Sequence, residues 1–160
     1  MFNVGLGKDS HRFIANCKKP LMLGGVVVDR AMGVEANSDG DLILHALCDA
    51  LEQASGGNSF DVYASRMCEE GITDSREYLK VALANIKERD YCIHNIGVNI
   101  EGKRPKIMPL ADEIRGSLSQ LTEVNGKYIG INATTGEGLT AFGRGEGMEV
   151  IVIVTLKALN

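Results

Sequence analysis

The chain has 160 residues, of which 44% are hydrophobic and 24% charged, and a formal net charge of −4. That length suits one domain over residues 1–160, with a core large enough to stand without staples. The acidic balance and the lack of a Lys- or Arg-rich face speak against a nucleic-acid partner, and no apolar run is long enough to span a bilayer.

Nothing at the N-terminus reads as a signal or transit peptide. The four cysteines, Cys17, Cys48, Cys68 and Cys92, show no CxxC spacing. A cytoplasmic protein with buried or idle thiols is expected.

In chain order, residues 2–8 read as a strand that turns at Asp9-Ser10-His11. Leu21 to Val28 reads as an extended stretch interrupted by a turn or bulge at Gly24-Gly25. Ser38-Asp39-Gly40-Asp41 has the chemistry of a helix start, and the helix runs to about Ala54. Ile43, Leu47, Ala50, Leu51 and Ala54 form its apolar stripe, while Asp41, His45 and Asp49 repeat at i, i+4 on a polar face. Ser55 to Ile72 is irregular and reads as a long functional or mobile loop. A second helix starts at Thr73 or Asp74 and buries Tyr78, Leu79, Ala82, Leu83 and Ile86. Asn95–Ile100 alternates as a strand. A third helix runs from Pro109 to about Leu121, with proline suited to the first turn. Ile129–Ala133 is a strand, and Met148–Leu156 is the most apolar strand, expected to be buried on both faces. The pattern predicts an α+β fold with a mixed sheet backed by helices on one face. A second copy of the chain is a natural cover for the other face.

Three residues carry metal chemistry. Residues i and i+2 of a strand share a face, so Asp9 and His11 reach one point, and His45 comes from the first helix. One carboxylate and two imidazoles leave a fourth position open, the arrangement of catalytic zinc. The same residues also fit an Asp/His pair at a strand end and a separate histidine on a polar helix face.

The second half of the chain carries phosphate chemistry. Ala133-Thr134-Thr135-Gly136-Glu137-Gly138 follows a strand with hydroxyls, glycine amides and a carboxylate, which suit phosphate oxygens and a hard divalent cation. Lys103-Arg104-Pro105-Lys106 is the densest basic stretch, sized for one phosphate group. In Gly143-Arg144-Gly145-Glu146-Gly147, Arg144 offers a planar fork to phosphate; the stretch also reads as a glycine-rich turn with a surface ion pair.

Taken in order, these motifs resemble one family nearly end to end. They are Asp9-x-His11, Ser38-Asp39-Gly40-Asp41 with His45, Asp74-Ser75-Arg76, Pro105-Lys106, and Thr134-Thr135-x-Glu137 leading to Gly143-Arg144-Gly145-Glu146-Gly147. The chain resembles the 2-C-methyl-D-erythritol 2,4-cyclodiphosphate synthases of the non-mevalonate isoprenoid pathway. The resemblance implies a homotrimer, with sheets packed around a threefold axis and active sites between subunits. It implies an intramolecular phosphoryl transfer, a phosphorus–oxygen lyase reaction. In it, 4-diphosphocytidyl-2-C-methyl-D-erythritol 2-phosphate becomes the cyclic diphosphate and CMP leaves.

The resemblance also assigns residues. Asp9, His11 and His45 hold Zn2+, and Glu137 helps hold Mg2+ or Mn2+ at the diphosphate. Thr135 donates to the transferring phosphoryl. Asn37 and Ser38 lie beside the phosphates. Thr134 and the backbone of Lys106, Ile107 and Met108 border the cytosine pocket from a neighbouring subunit, and Pro105 and Ala133 belong to the same substrate-binding set. Arg144 is a candidate phosphate ligand, although with Glu146 it fits better an ion-pair ring bordering a central cavity that takes an isoprenoid diphosphate. The alternative to an enzyme is a non-catalytic trimer that binds zinc or an isoprenoid diphosphate.

The chain departs from the pattern in places. Asn37 stands where the family usually has histidine, and Lys8 where it has an aromatic. Gly136 replaces a threonine. The ribose-binding aspartate after the first helix counts to Ser59, so that Asp61 serves only if the segment shifts.

Overall fold

The computed structural model describes residues 1–15 and 18–159, so Cys17 lies outside the described residues. Its strands and helices in chain order are β1 (Phe2–Ala15), β2 (Leu21–Leu23), β3 (Val26–Asp29), β4 (Met32–Val34), α1 (Leu42–Ala54), α2 (Asp61–Glu69), α3 (Ser75–Glu88), β5 (Tyr91–Glu101), α4 (Ala111–Thr122), β6 (Ile129–Thr134) and β7 (Gly147–Ala158). Five strands form one mixed sheet in the order β4-β1-β7-β5-β6, antiparallel except for the parallel pair β5–β6. β2 and β3 form a separate hairpin. Its turn falls at Gly24 and Gly25, both at positive φ, which a two-residue hairpin turn requires.

β1 is longer than expected. Lys8 to Arg12 are polar and resemble a turn, yet they pair with β7 down to Arg12↔Gly147, and Phe13–Ala15 then pairs with β4. Asp9 and His11 therefore sit within a continuous strand, which fixes their common face more firmly than a turn could.

Helix α1 is the centre of the molecule. The expected stripe is buried, but so are Leu42, Leu44, Ala46 and Cys48. A helix apolar almost all round lies inside a core rather than on it. It lies on β1 through small residues. A Cβ added to Gly5 would stand 2.1 Å from the Ala50 carbonyl oxygen, and one on Gly7 1.8 Å from that of Ala46. Two strand residues and one helical turn advance by similar distances, about 6–7 Å and 5.4 Å. Gly5, Gly7 and Asp9 thus step along α1 in phase, and Asp9 arrives beside His45.

The fully buried Asp41 corrects the expected polar face. Its side chain caps α1 by accepting from the Leu44 N–H and also accepts from the N–H groups of Gly24 (2.8 Å) and Gly25 (2.6 Å). Burial raises its carboxyl above the ordinary value, against the pull of those three donors. Asp41 is thus a structural tie between α1 and the β2–β3 hairpin.

Two other expectations change. Ser55 to Ile72 contains the nine-residue helix α2. Only Ala64 within α2 is buried, with Phe60 just before it and Tyr63 and Met67 packed beside it, so its apolar stripe is too narrow to stand out. β7 is buried on one face, at Met148, Val150, Val152, Val154 and Leu156. Its other face is open, with Ile153 45% exposed, because no helix among the described residues covers it. No helix among the described residues is long and apolar enough to cross a membrane.

Candidate metal centre and cleft

The ligand atoms of Asp9, His11 and His45 all lie within 4.8 Å of one another. Asp9 Oδ2 is 3.1 Å from His45 Nδ1 and 3.1 Å from His11 Nε2. Donors about 2.0–2.2 Å from a tetrahedral zinc stand ~3.3 Å apart, so these spacings are close to those of a coordination shell. Among the described residues the buried His11 Nε2 has no hydrogen-bond partner, although it stands 3.1 Å from Asp9 Oδ2. A buried nitrogen left without a partner, facing a carboxylate and a second imidazole, fits a metal ion.

Electrostatics agree. Burial pushes the Asp9 carboxyl up, but contacts with His11 and His45, and their charge, outweigh it and hold the group at about 2. The neighbouring Asp9 carboxylate raises His11 above its ordinary 6.5, against burial. An ionised carboxylate is what a metal ligand must be.

Behind His45 lies a chain of hydrogen bonds. His45 Nε2 is 2.7 Å from Ser75 Oγ and 3.3 Å from Ser38 Oγ. Ser75, fully buried at the start of α3, donates its hydroxyl to Asp39 Oδ1 and its backbone N–H to Oδ2 at 3.0 Å. The His45 ring lies 5.3 Å from that of Phe60 and 6.1 Å from that of Tyr78.

The metal centre opens into a cleft of about 600 Å³, also lined by Asn37, Ser38, Asp49 and Asp61. Asn37 is exposed at its edge. Asp61 reaches this cleft, whereas Ser59 donates its hydroxyl to Asp49 and lines a neighbouring hollow. α2 therefore presents an aspartate two residues after the position counted from His45.

The other expected residues lie elsewhere on the chain. Pro105, Lys106, Ile107, Met108, Ala133, Thr134 and Thr135 line a second pocket of about 240 Å³ at the ends of β5 and β6. Glu137 lines neither pocket. It is exposed, at φ 50° in the tight turn Gly136–Gly138. Arg144 pairs with Glu146 at 2.9 Å, both exposed.

Sequence reasoning missed the partners of the site. Ser75 and Asp39 sit in motifs that read as ordinary helix starts. Lys19, whose Nζ donates to the carbonyls of Ala36 and Ser38 (2.6 Å to Ser38), gave no signal at all.

A family model described as the YgbB family matches residues 2–157. The chain belongs to that family. Among its relatives are the 2-C-methyl-D-erythritol 2,4-cyclodiphosphate synthase of Chlamydia muridarum, 36% identical over 158 residues, and that of Chlamydia trachomatis serovar L2b, 38% identical. Each alignment covers 98% of this chain and 88% of the relative. Similar solved structures include the bifunctional IspDF of Campylobacter jejuni, with a TM-score of 0.90 and 32% identity. That match covers 99% of this chain, which spans only 42% of the bifunctional one. IspF of Plasmodium falciparum in complex with CDP matches at a TM-score of 0.87 and 26% identity, over 99% of this chain and 97% of the other. The chain is an enzyme of the cyclodiphosphate synthase family, and the reading as a non-catalytic binding module gives way.

Proposed function

We propose that the chain converts 4-diphosphocytidyl-2-C-methyl-D-erythritol 2-phosphate to the cyclic diphosphate and CMP, a phosphorus–oxygen lyase reaction. The observation that carries this reading is the convergence of Asp9, His11 and His45 on one point, with a partnerless nitrogen, at the floor of an open cleft.

The chemistry sets the demands. The 2-phosphate attacks the β-phosphorus, so two anions must meet in line, and positioning with charge compensation supplies most of the catalysis. Zn2+ at Asp9, His11 and His45, and Mg2+ or Mn2+ at Glu137, supply that compensation and orient the phosphates when bound. The Asn37 amide, which can donate but cannot become charged, and the neighbouring Ser38 steady the 2-phosphate. The Thr135 hydroxyl donates to the transferring phosphoryl. The backbone of Lys106, Ile107 and Met108, with Pro105, Ala133 and Thr134, borders the cytosine.

In this reading residues 1–160 act as one domain of a cytoplasmic homotrimer. The small pocket of one copy completes the metal cleft of the next. Arg144 and Glu146 serve the assembly, around a cavity open to an isoprenoid diphosphate.

Phosphorus NMR of the purified protein with the CDP-linked substrate, zinc and magnesium tests the reading. The cyclic diphosphate and CMP should appear together. His45→Ala should abolish both products and strip the zinc. Absence of both products with the wild-type protein would overturn the proposal.

A further inference from the structure

We infer that Ser75 and Asp39 are positioning residues that fix the tautomer of His45, so that its Nδ1 lone pair faces Asp9 and His11, and thereby set the affinity of the metal centre. The inference rests on the metal reading of those three residues.

The argument is a count of protons. Asp39 is surrounded by donors: the Ser75 N–H and hydroxyl and, at 3.2 Å, the Asp41 N–H. Its oxygens therefore only accept. Ser75 has a single hydroxyl proton, and Asp39 takes it. At 2.7 Å from His45 Nε2, the Ser75 oxygen can then only accept, so Nε2 carries the hydrogen. In the neutral ring Nδ1 is left with a lone pair, 3.1 Å from Asp9 Oδ2. Two electron-rich atoms at that distance repel, and a metal ion between them would relieve the repulsion.

The geometry also says what depends on the relay. Ser75 is fully buried and Ser38 is 7% exposed, so without the Ser75 hydroxyl the Nε2–H keeps only the longer contact to Ser38 at 3.3 Å. Phe60 and Tyr78 pack around the ring, but they contact either tautomer alike. Two contacts distinguish the nitrogens: the relay places the hydrogen on Nε2, while Asp9 Oδ2, 3.1 Å from Nδ1, draws one there, and it is the relay that has to prevail. Such partners of a ligating histidine are worth about 10–100-fold in metal affinity.

The test uses the whole protein with histidine labelled in nitrogen-15. In the metal-free state, at a pH where long-range proton–nitrogen spectra show the His45 ring neutral, those spectra should show the Nε2–H tautomer. Zinc affinity, measured by competition with a chromophoric chelator, should fall about 10–100-fold in Ser75→Ala and in Asp39→Asn. The His45 spectrum of each variant should show mixed tautomers. Ser75→Thr, which restores the hydroxyl, should recover most of the affinity. An Nδ1–H tautomer in the wild type overturns the inference, as does unchanged zinc affinity in folded Ser75→Ala or Asp39→Asn. A wild type that binds no zinc overturns the metal reading instead, and the tautomer measurement then still decides the relay.

Discussion

At the residue scale, the metal centre consists of groups that compete for protons when no metal is bound. In the metal-free protein Asp9 is depressed to about 2, so its contribution to stability is complete above its ordinary 3.8 and lost as pH falls toward 2. His11 is raised, so its contribution is complete below 6.5 and lost as pH rises through the higher folded value. Zinc reverses the second trend, because it binds the deprotonated imidazoles and adds stability that grows with the logarithm of its affinity. The gap in melting temperature between zinc-loaded and metal-free protein should therefore widen from about pH 5.5 to about pH 8. Paired melting curves across that range check this, and a gap independent of pH would contradict the ligand assignment. The three candidate ligands were legible because strand alternation and helix periodicity put them within reach of one another, although it took the family resemblance to prefer a metal over an Asp/His pair and a separate histidine. Ser75 was not, because its contact with Asp39 spans 36 residues and a serine at a helix start ordinarily serves the helix alone.

At the element scale, the site exists because α1 lies against β1 with almost no side chain between them. Helix periodicity fixed α1 from its own residues. The close approach was not legible, since a glycine in a strand signals room without saying what fills it. The same holds for Glu52, 2% exposed on α1, whose partners Arg89 (2.8 Å) and Asn85 (2.6 Å) come from α3 and its end. Gly7→Ala tests the approach. Its Cβ would meet the Ala46 carbonyl, and backbone cannot swing aside as a side chain can. The substitution should cost at least the ~1–3 kcal/mol of ordinary overpacking. It should also weaken zinc binding in the protein that still folds, because α1 must retreat and take His45 with it. Gly116→Ala is the control. It lies in α4 with nothing within 4 Å of the added Cβ, so it should stabilise by about 0.5–1 kcal/mol and leave zinc binding unchanged. Denaturant unfolding of both variants, with zinc titration, reads the outcome. Normal zinc binding and stability in Gly7→Ala would show that the helix has room to spare.

At the scale of the whole molecule, the chain divides its chemistry between two pockets. Asp9, His11 and His45 line one, and Lys106, Thr134 and Thr135 line the other. On the open face of the sheet Leu6 stands opposite Ile153, next to Val4 opposite Thr155. Val4 is 65% exposed, Leu6 47% and Ile153 45%. An apolar patch on the middle strands of a sheet suits a protein–protein interface. The sequence pattern of β7 reads as buried on both faces because Ile151 and Ile153 on its outer face are as apolar as the residues on its inner one, and a sequence does not say what covers them. It cannot say which face belongs to which, nor how many copies meet. A charge at the patch separates the two functions. Ile153→Lys places a cation where copies should pack, and unpaired charges are costly to bury. Sedimentation equilibrium should give a trimer for the wild type and a smaller species for Ile153→Lys. Because all three candidate metal ligands lie on one chain, the variant should keep its zinc. It should lose turnover, because its cleft no longer meets the second pocket of a neighbour. A monomeric Ile153→Lys with full turnover would show that one chain suffices. A monomeric wild type would remove the shared site altogether.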